Sequence, residues 1–139
     1  MTSETKSRDI QIRDMRPEDR PAIVRFMGAL NNYEIPLSPD RAPGSEMAEG
    51  HVDFLLAEVQ RRGGFTLVAV VDGQSAGFLL ACVMADDDGS VYLLEPFRKV
   101  GEISDVYVDP AFRRLGLTRA LLAEAVRRFR SMGLRSMEI

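Results

Sequence analysis

Two apolar stretches separated by a two-residue turn restrict the fold of this chain more than any other feature. Residues 65–71 and 76–85 are almost continuously apolar, and Asp72-Gly73 lies between them. An Asp-Gly pair between two such runs predicts a β-hairpin, because both residues tolerate the backbone conformation that tight hairpin turns require. Strands that lack a polar face are covered on both sides. The sequence therefore predicts a sheet whose two faces are both packed.

The remaining pattern predicts three helices and three further strands around this hairpin. The predicted helices cover residues 16–30, 45–62 and 117–131. The further predicted strands cover residues 9–15, 100–108 and 134–139. Residues 31–44 contain three prolines, so they are predicted to form a loop. This order of elements predicts a mixed α/β fold, a sheet packed by helices, in a single domain over residues 1–139 with a flexible tail at residues 1–8.

The strand at residues 100–108 carries acidic groups within an otherwise core-like pattern. Strict alternation predicts one face with Glu102, Ser104, Val106 and Val108 and a second face with Ile103, Asp105 and Tyr107. On this pattern the two carboxylates, Glu102 and Asp105, lie on opposite faces.

Length and composition exclude several classes of function. The chain has 139 residues, of which 45% are hydrophobic, and a net charge of -3, so we expect no binding to nucleic acid or to an anionic membrane. No apolar run approaches the ~18 residues of a spanning helix. The first residues lack the apolar core of a secretion signal, so a cytoplasmic location is expected.

The chain has one cysteine, Cys82, and one histidine, His51. Cys82 lies in an apolar run and is expected to be a buried, inert thiol. His51 is expected to be structural or exposed to solvent. These counts leave a histidine-rich metal site and a histidine-paired nucleophile hard to build, so no metal is expected.

A turn with two arginines and a glycine follows the strand at residues 100–108. Arg113, Arg114 and Gly116 stand immediately before the predicted third helix. A helix N-terminus exposes unpaired N–H groups and attracts anions, and arginine side chains add donors suited to phosphate. The spacing matches neither a P-loop nor a dinucleotide-binding turn. From these residues alone, a phosphate-binding turn and an ordinary arginine-rich surface loop are both open.

The sequence DVYVDPAFRRLGLTRALLAEAVRRFRSMGLRSMEI, residues 105–139, resembles the core of the GNAT family of acetyl-CoA-dependent N-acyltransferases. That family has a Gln/Arg-x-x-Gly-x-Gly/Ala turn between its fourth strand and third helix, matched here by residues 113–118. The order of elements extends the resemblance to about residues 8–139. It implies a mixed, mostly antiparallel sheet flanked by helices, with the family's C-terminal helix and hairpin missing. Thr118 departs from the pattern, and its methyl group crowds the phosphate approach.

The resemblance implies acetyl-CoA as co-substrate and assigns it to this turn and strand. Backbone amides of residues 114–118, with the Arg113 and Arg114 side chains, would bind the pyrophosphate. The backbone of residues 106–108 would pair with the pantetheine arm, and an N–H near Val108 would polarise the thioester carbonyl. The cofactor-binding residues predicted in this way are Val106, Tyr107, Val108, Arg113, Arg114, Leu115, Gly116, Leu117, Thr118 and Arg119.

The resemblance also suggests a base and an acceptor contact for transfer to a primary amine of a small molecule or peptide. Glu102 lies eleven residues before Arg113, the spacing at which the histone-acetyltransferase branch of the family has its glutamate base. Asp105 is the second candidate base, with a structural role as its alternative. Tyr33 and Glu34 follow the first helix, where the family often contacts its acceptor.

Two other functions and an assembly state are compatible with the sequence. Family members usually carry, after the fifth strand, a tyrosine that protonates the leaving thiolate, and none of Tyr33, Tyr92 and Tyr107 holds that position. A CoA-binding module without turnover is therefore the main alternative. A nucleic-acid binder using the arginine-rich last helix is disfavoured by the net charge. If the chain is complete at residue 139, its unpaired sheet edge predicts a homodimer.

Overall fold

The computed structural model describes residues 8–34, 44–85 and 99–139. A five-stranded sheet carries helices on both faces, in the predicted element order. The strands are β1 (Ile10–Asp14), β2 (Phe65–Val71), β3 (Gln74–Ala85), β4 (Lys99–Val108) and β5 (Met137–Glu138). The helices are α1 (Arg20–Glu34), α2 (Gly44–Arg61) and α3 (Leu117–Ser131), with short 3-10 turns at Pro17–Asp19 and Pro110–Phe112.

The sheet has the order β1-β2-β3-β4-β5, antiparallel up to β4 and parallel between β4 and β5. The predicted hairpin is confirmed, because only Asp72 and Gly73 separate β2 from β3. Their φ angles are +50° and +80°, the left-handed pair that a two-residue hairpin turn requires.

Both faces of the sheet are packed, as the apolar runs predicted. One face holds α3, whose Leu121 and Ala125 are fully buried against strand residues such as Leu79. The other face holds α1 and α2, where Ile23 and Val52 pack against strand residues that include Phe78. Cys82 is 6% exposed in this second core, which confirms its predicted burial.

The first helix is longer than predicted. α1 continues to Glu34, so the loop predicted to begin at residue 31 was wrong for residues 31–34. The physical reason is that Pro36, the first proline, restricts the residue before it and leaves earlier residues free to be helical. Asn31 is buried, and its side-chain nitrogen lies 3.4 Å from Nδ1 of His51. The predicted tail at residues 1–7, most of the predicted loop, the carboxylates of residues 86–88, and Tyr92 lie outside the described residues.

A β-bulge in β4 corrects the predicted faces of that strand. Leu80 of β3 pairs with Asp105, but the next residue, Ala81, pairs with Ile103, so Ser104 is the extra residue. Because directly paired residues share a face, the alternation changes sign at Ser104. Glu102 and Asp105 therefore lie on the same face, that of α1 and α2, and the predicted separation of the two carboxylates was wrong.

Candidate active site

The turn between β4 and α3 has a strained, well-defined backbone. After β4, the Asp109 side chain accepts a hydrogen bond of 3.0 Å from the Ala111 N–H and fixes the start of the turn. Arg114 has φ +69° and Gly116 has φ +76°. A left-handed residue other than glycine costs roughly 1–2 kcal/mol, so Arg114 holds a conformation that its neighbours must impose. Such outliers are common at ligand-binding sites.

The N-terminus of α3 presents unpaired donors. The first helical hydrogen bond runs from the Ala120 N–H to the Gly116 carbonyl, at 3.0 Å. The N–H groups of residues 117–119 precede it and therefore have no acceptor inside the helix. Gly116 is the N-cap and supplies no side-chain cap, and the first turn contains no acidic residue. This helix end is thus open to an external anion.

A cavity of about 720 Å³, here called the cofactor cavity, joins this turn to the end of β4. Its lining residues are Val106, Tyr107, Val108, Phe112, Arg113, Arg114, Gly116, Leu117, Thr118 and Arg119. The structure therefore places every predicted cofactor-binding residue around one cavity except Leu115, which packs against the core beneath α3. Phe112 was missed by the sequence argument, because a lone apolar residue in a turn gives no signal of its own.

The arginines of the cavity are not equivalent. Arg113 Nε donates to the Val108 carbonyl at 3.2 Å, and its guanidinium carbon lies 5.9 Å from the centre of the Tyr107 ring. Its side chain thus connects the turn to the strand. Arg114 and Arg119 are exposed to solvent and line the same cavity, as does Thr118. The positive charge at the helix N-terminus comes from Arg114 and Arg119 as well as from Arg113.

The second half of β4 has an open edge beside the cavity. β5 pairs only with Gly101 and Glu102, so the described residues place no strand against residues 103–108 on that side. The Asp109 N–H donates to Ala76 of β3 at 2.8 Å. Since backbone groups alternate along an antiparallel strand, those of Val106 and Val108 point away from β3, toward the open edge. An extended ligand can pair with them as a sixth strand does.

Glu102 lines a second, smaller cavity on the other side of the bulge, here called the α2–β4 cavity. Its volume is about 190 Å³. Its lining residues are Phe54, Leu55, Glu58, Arg62, Cys82, Met84, Glu102 and Ser104. The sequence argument found Glu102 but missed the α2 side of this cavity. Phe54 gave the only signal, since it is an apolar residue outside the inner stripe of its helix.

The charges around the α2–β4 cavity are partly paired. Glu58 forms ion pairs with Arg61 at 2.9 Å and Arg62 at 3.0 Å, and these arginines lower the pKa of Glu58 to about 2. Arg62 also donates to the Met84 sulfur at 3.2 Å. Burial, followed by the nearby Glu102 charge, raises the pKa of the Cys82 thiol. Cys82 is therefore a neutral wall of the cavity and not a nucleophile.

The remaining predicted residues are not brought to either cavity. Asp105 shares the face of Glu102 but lines neither of the two cavities defined above. Tyr33 and Glu34 form the last backbone positions of α1, and their side chains lie outside the described residues. Within residues 8–34, 44–85 and 99–139, no group of three histidine, cysteine, aspartate or glutamate side chains is placed to bind a metal ion. In the same ranges, no helix combines the length and apolarity needed to cross a bilayer.

A fourth strand that leads through an anion-binding turn into a helix, in a mixed sheet of this order, defines the class of acyl-CoA-dependent acyltransferases. The family model described as "Acetyltransferase (GNAT) family" matches residues 29–139. The chain therefore belongs to the GNAT acetyltransferase family and is an acyltransferase. This confirms both the family resemblance and the fold predicted from the sequence.

Solved structures show the same fold at low sequence identity. A GCN5-related N-acetyltransferase from Ralstonia eutropha JMP134 superposes with a TM-score of 0.71 at 21% identity, covering 93% of this chain and 81% of that one. A GNAT family acetyltransferase from Brucella melitensis, in complex with acetyl-CoA, gives 0.64 at 23%, covering 93% and 73%. AAC(6')-Iy, in complex with a bisubstrate analog of CoA and acetylneamine, gives 0.61 at 20%, covering 94% and 79%. A comparison with curated proteins finds no matching sequence.

Proposed function

We propose that this chain transfers an acetyl group from acetyl-CoA to a primary amine of a small molecule or peptide. The observation that carries the proposal is the cofactor cavity, which joins an anion-binding helix N-terminus to the open edge of β4. Two solved structures of the same fold support it, one in complex with acetyl-CoA and one with a bisubstrate analog of CoA and acetylneamine.

The cofactor cavity has the donors that the two polar parts of CoA require. Amides of residues 117–119 and the exposed Arg114 side chain face the position of the pyrophosphate. Along the strand, the backbone groups of Val106 and Val108 are free to pair with the amides of the pantetheine arm. An N–H at Val108 would then stabilise the charge that develops on the thioester oxygen during acyl transfer.

The amine acceptor requires a base before it can attack. An alkylamine with a pKa near 10.4 is almost wholly protonated at pH 7, and only the neutral form is nucleophilic. In the proposed reaction Glu102 removes the proton, directly or through a water molecule. The amine nitrogen then bonds to the acetyl carbon while the carbon–sulfur bond breaks and the thiolate leaves. Asp105 is the second candidate for the base, and Tyr33 and Glu34 are proposed contacts of the acceptor.

Two measurements test the proposal. Acetyl-CoA in excess over its Kd should raise the Tm of the protein, because a ligand that binds only the native state stabilises it. Release of CoA should then depend on the amine in a panel of polyamines, amino acids, aminoglycosides and peptide N-termini. An unchanged Tm at millimolar acetyl-CoA contradicts the cofactor assignment, and binding without turnover favours the CoA-binding module.

Substitution of Glu102 tests the base. Glu102→Gln keeps the size of the side chain and removes its basicity, so we expect kcat to fall by about 10²- to 10⁴-fold. Glu18→Gln is the matched control, because Glu18 is exposed and lines neither cavity. An unchanged rate in Glu102→Gln refutes the assignment, and the same measurement on Asp105→Asn then tests the second candidate.

We also propose a homodimer, supported by the sheet edge at β5, where Met137–Glu138 is the only paired segment and Ile139 is 79% exposed. Burial of such an edge against a second copy would satisfy its backbone groups. Sedimentation velocity of the purified chain tests this, and a well-folded monomer at micromolar concentration contradicts it.

A further inference from the structure

We propose that the α2–β4 cavity is the acceptor site and selects a primary amine with one compact apolar substituent over a polyamine. The amine would face Glu102, and the apolar group would lie against Phe54 and Leu55. This inference rests on the proposed function and specifies its substrate class.

The walls of the cavity favour an apolar group. Leu55, Cys82 and Met84 form its apolar lining, and Phe54 stands beside them although it is 62% exposed. A large aromatic side chain on the solvent side of a helix gains free energy when a ligand covers it. The volume of about 190 Å³ is below that of a site enclosing a whole drug-sized molecule. One ring or one branched chain is therefore the part of the acceptor that fits.

The charges of the cavity favour one positive group and oppose a second. The Glu58 carboxylate is already paired with Arg61 and Arg62, so it does not offer a free negative charge to a ligand. Glu102 makes no hydrogen bond or ion pair with any residue of the described ranges. A single ammonium group is attracted to Glu102, whereas a second cationic centre of a polyamine would meet the two guanidinium groups.

The position of the cavity matches that of the acetyl donor. The α2–β4 cavity ends at Ser104, and the cofactor cavity begins at Val106 on the same strand. Two residues of a strand span about 7 Å, so an amine beside Ser104 can reach an acetyl group held at the open edge. The bulge at Ser104 keeps Glu102 on the α2 side of this junction.

The test compares 2-phenylethylamine with 1,4-diaminobutane as acceptors in the purified full chain with acetyl-CoA. We expect kcat/KM for 2-phenylethylamine to be at least about tenfold higher, and Phe54→Ala to lower that value by about tenfold, mainly through KM. Phe54→Ala should leave the diamine and the KM of acetyl-CoA unchanged. Gln60→Ala is the matched control, since Gln60 is exposed on the same helix and lines neither cavity. A preference for the diamine, or equal losses for both amines in Phe54→Ala, overturns the inference.

A second readout does not depend on turnover. Cys82 is the only cysteine, so its labelling by methyl methanethiosulfonate reports on this cavity alone. With CoA bound, 2-phenylethylamine should slow labelling several-fold, and 1,4-diaminobutane should not. Equal protection by both amines, or none by either, overturns the inference. A Tm increase with acetyl-CoA in the same preparation then shows that the cofactor assignment survives, whereas no increase shows that the proposed function has failed as well.

Discussion

Replacement of Gly116 by alanine isolates the anion-binding role of the turn before α3. Gly116 has φ +76°, and a Cβ added there meets no atom of the described residues within 4 Å. The substitution therefore causes backbone strain without a clash. Left-handed backbone costs an alanine roughly 1–2 kcal/mol, and the stiffer unfolded chain recovers about 0.4–1 kcal/mol. We expect a net loss of about 1 kcal/mol, which lowers the Tm by about 3 °C for a domain of this size.

Gly133 provides a matched control for this substitution. It lies just after α3 with φ +82°, and a Cβ there also meets nothing within 4 Å, so Gly133→Ala should cost the same stability. Only Gly116→Ala places a methyl group beside the helix amides, and we expect it to raise the Kd of acetyl-CoA by about tenfold or more, equal to about 1.4 kcal/mol. Isothermal titration calorimetry measures both variants. Equal Kd values for the two would refute the assignment of the pyrophosphate to this turn.

Two further substitutions test the packing of α3 against the sheet. Hydrogen bonds and charge from Arg127 and Arg128 lower the pKa of Glu124 from 4.5 to about 2. A lowered folded-state pKa stabilises the protein above pH 4.5, so Glu124→Gln should lose up to ~1 kcal/mol at pH 7, and the difference in urea unfolding should vanish as the pH falls toward 2; a constant difference contradicts this. At Gly101, an added Cβ lies 2.6 Å from the Phe129 ring, so Gly101→Ala should cost about 1–3 kcal/mol and Phe129→Leu should restore part of it; no loss in urea unfolding contradicts the close approach.

The fold was predictable where local chemistry decides the structure. The Asp72-Gly73 turn and its apolar flanks determine a hairpin by themselves, and the stripe of α3 determines which side it buries. The bulge at Ser104 was not predictable, because an extra residue in a strand leaves the sequence alternation intact and shows only in the pairing with β3. The end of α1 was missed for a similar reason, since Asn31 is held in the helix by burial against α2 and not by helix propensity.

The two cavities differ in how far the sequence reveals them. The cofactor cavity is built from consecutive residues, a strand end and the turn that follows, so one short motif predicts nearly all of its lining. The α2–β4 cavity joins two elements about forty to fifty positions apart, and its volume depends on how they pack. Sequence reasoning could propose Glu102 from its spacing to Arg113, but the partner wall at Phe54 and Glu58 required the structure.

The bulge in β4 is the step that makes the two proposals compatible. Without the extra residue at Ser104, strict alternation would place Glu102 on the same side as Val106 and Val108, which face α3. A base on that side would be covered by the helix that follows the cofactor turn. With the bulge, Glu102 faces α2, and the backbone groups of Val106 and Val108 still reach the open edge. The amine and the acetyl donor then approach β4 from different directions and meet beside one residue, Ser104.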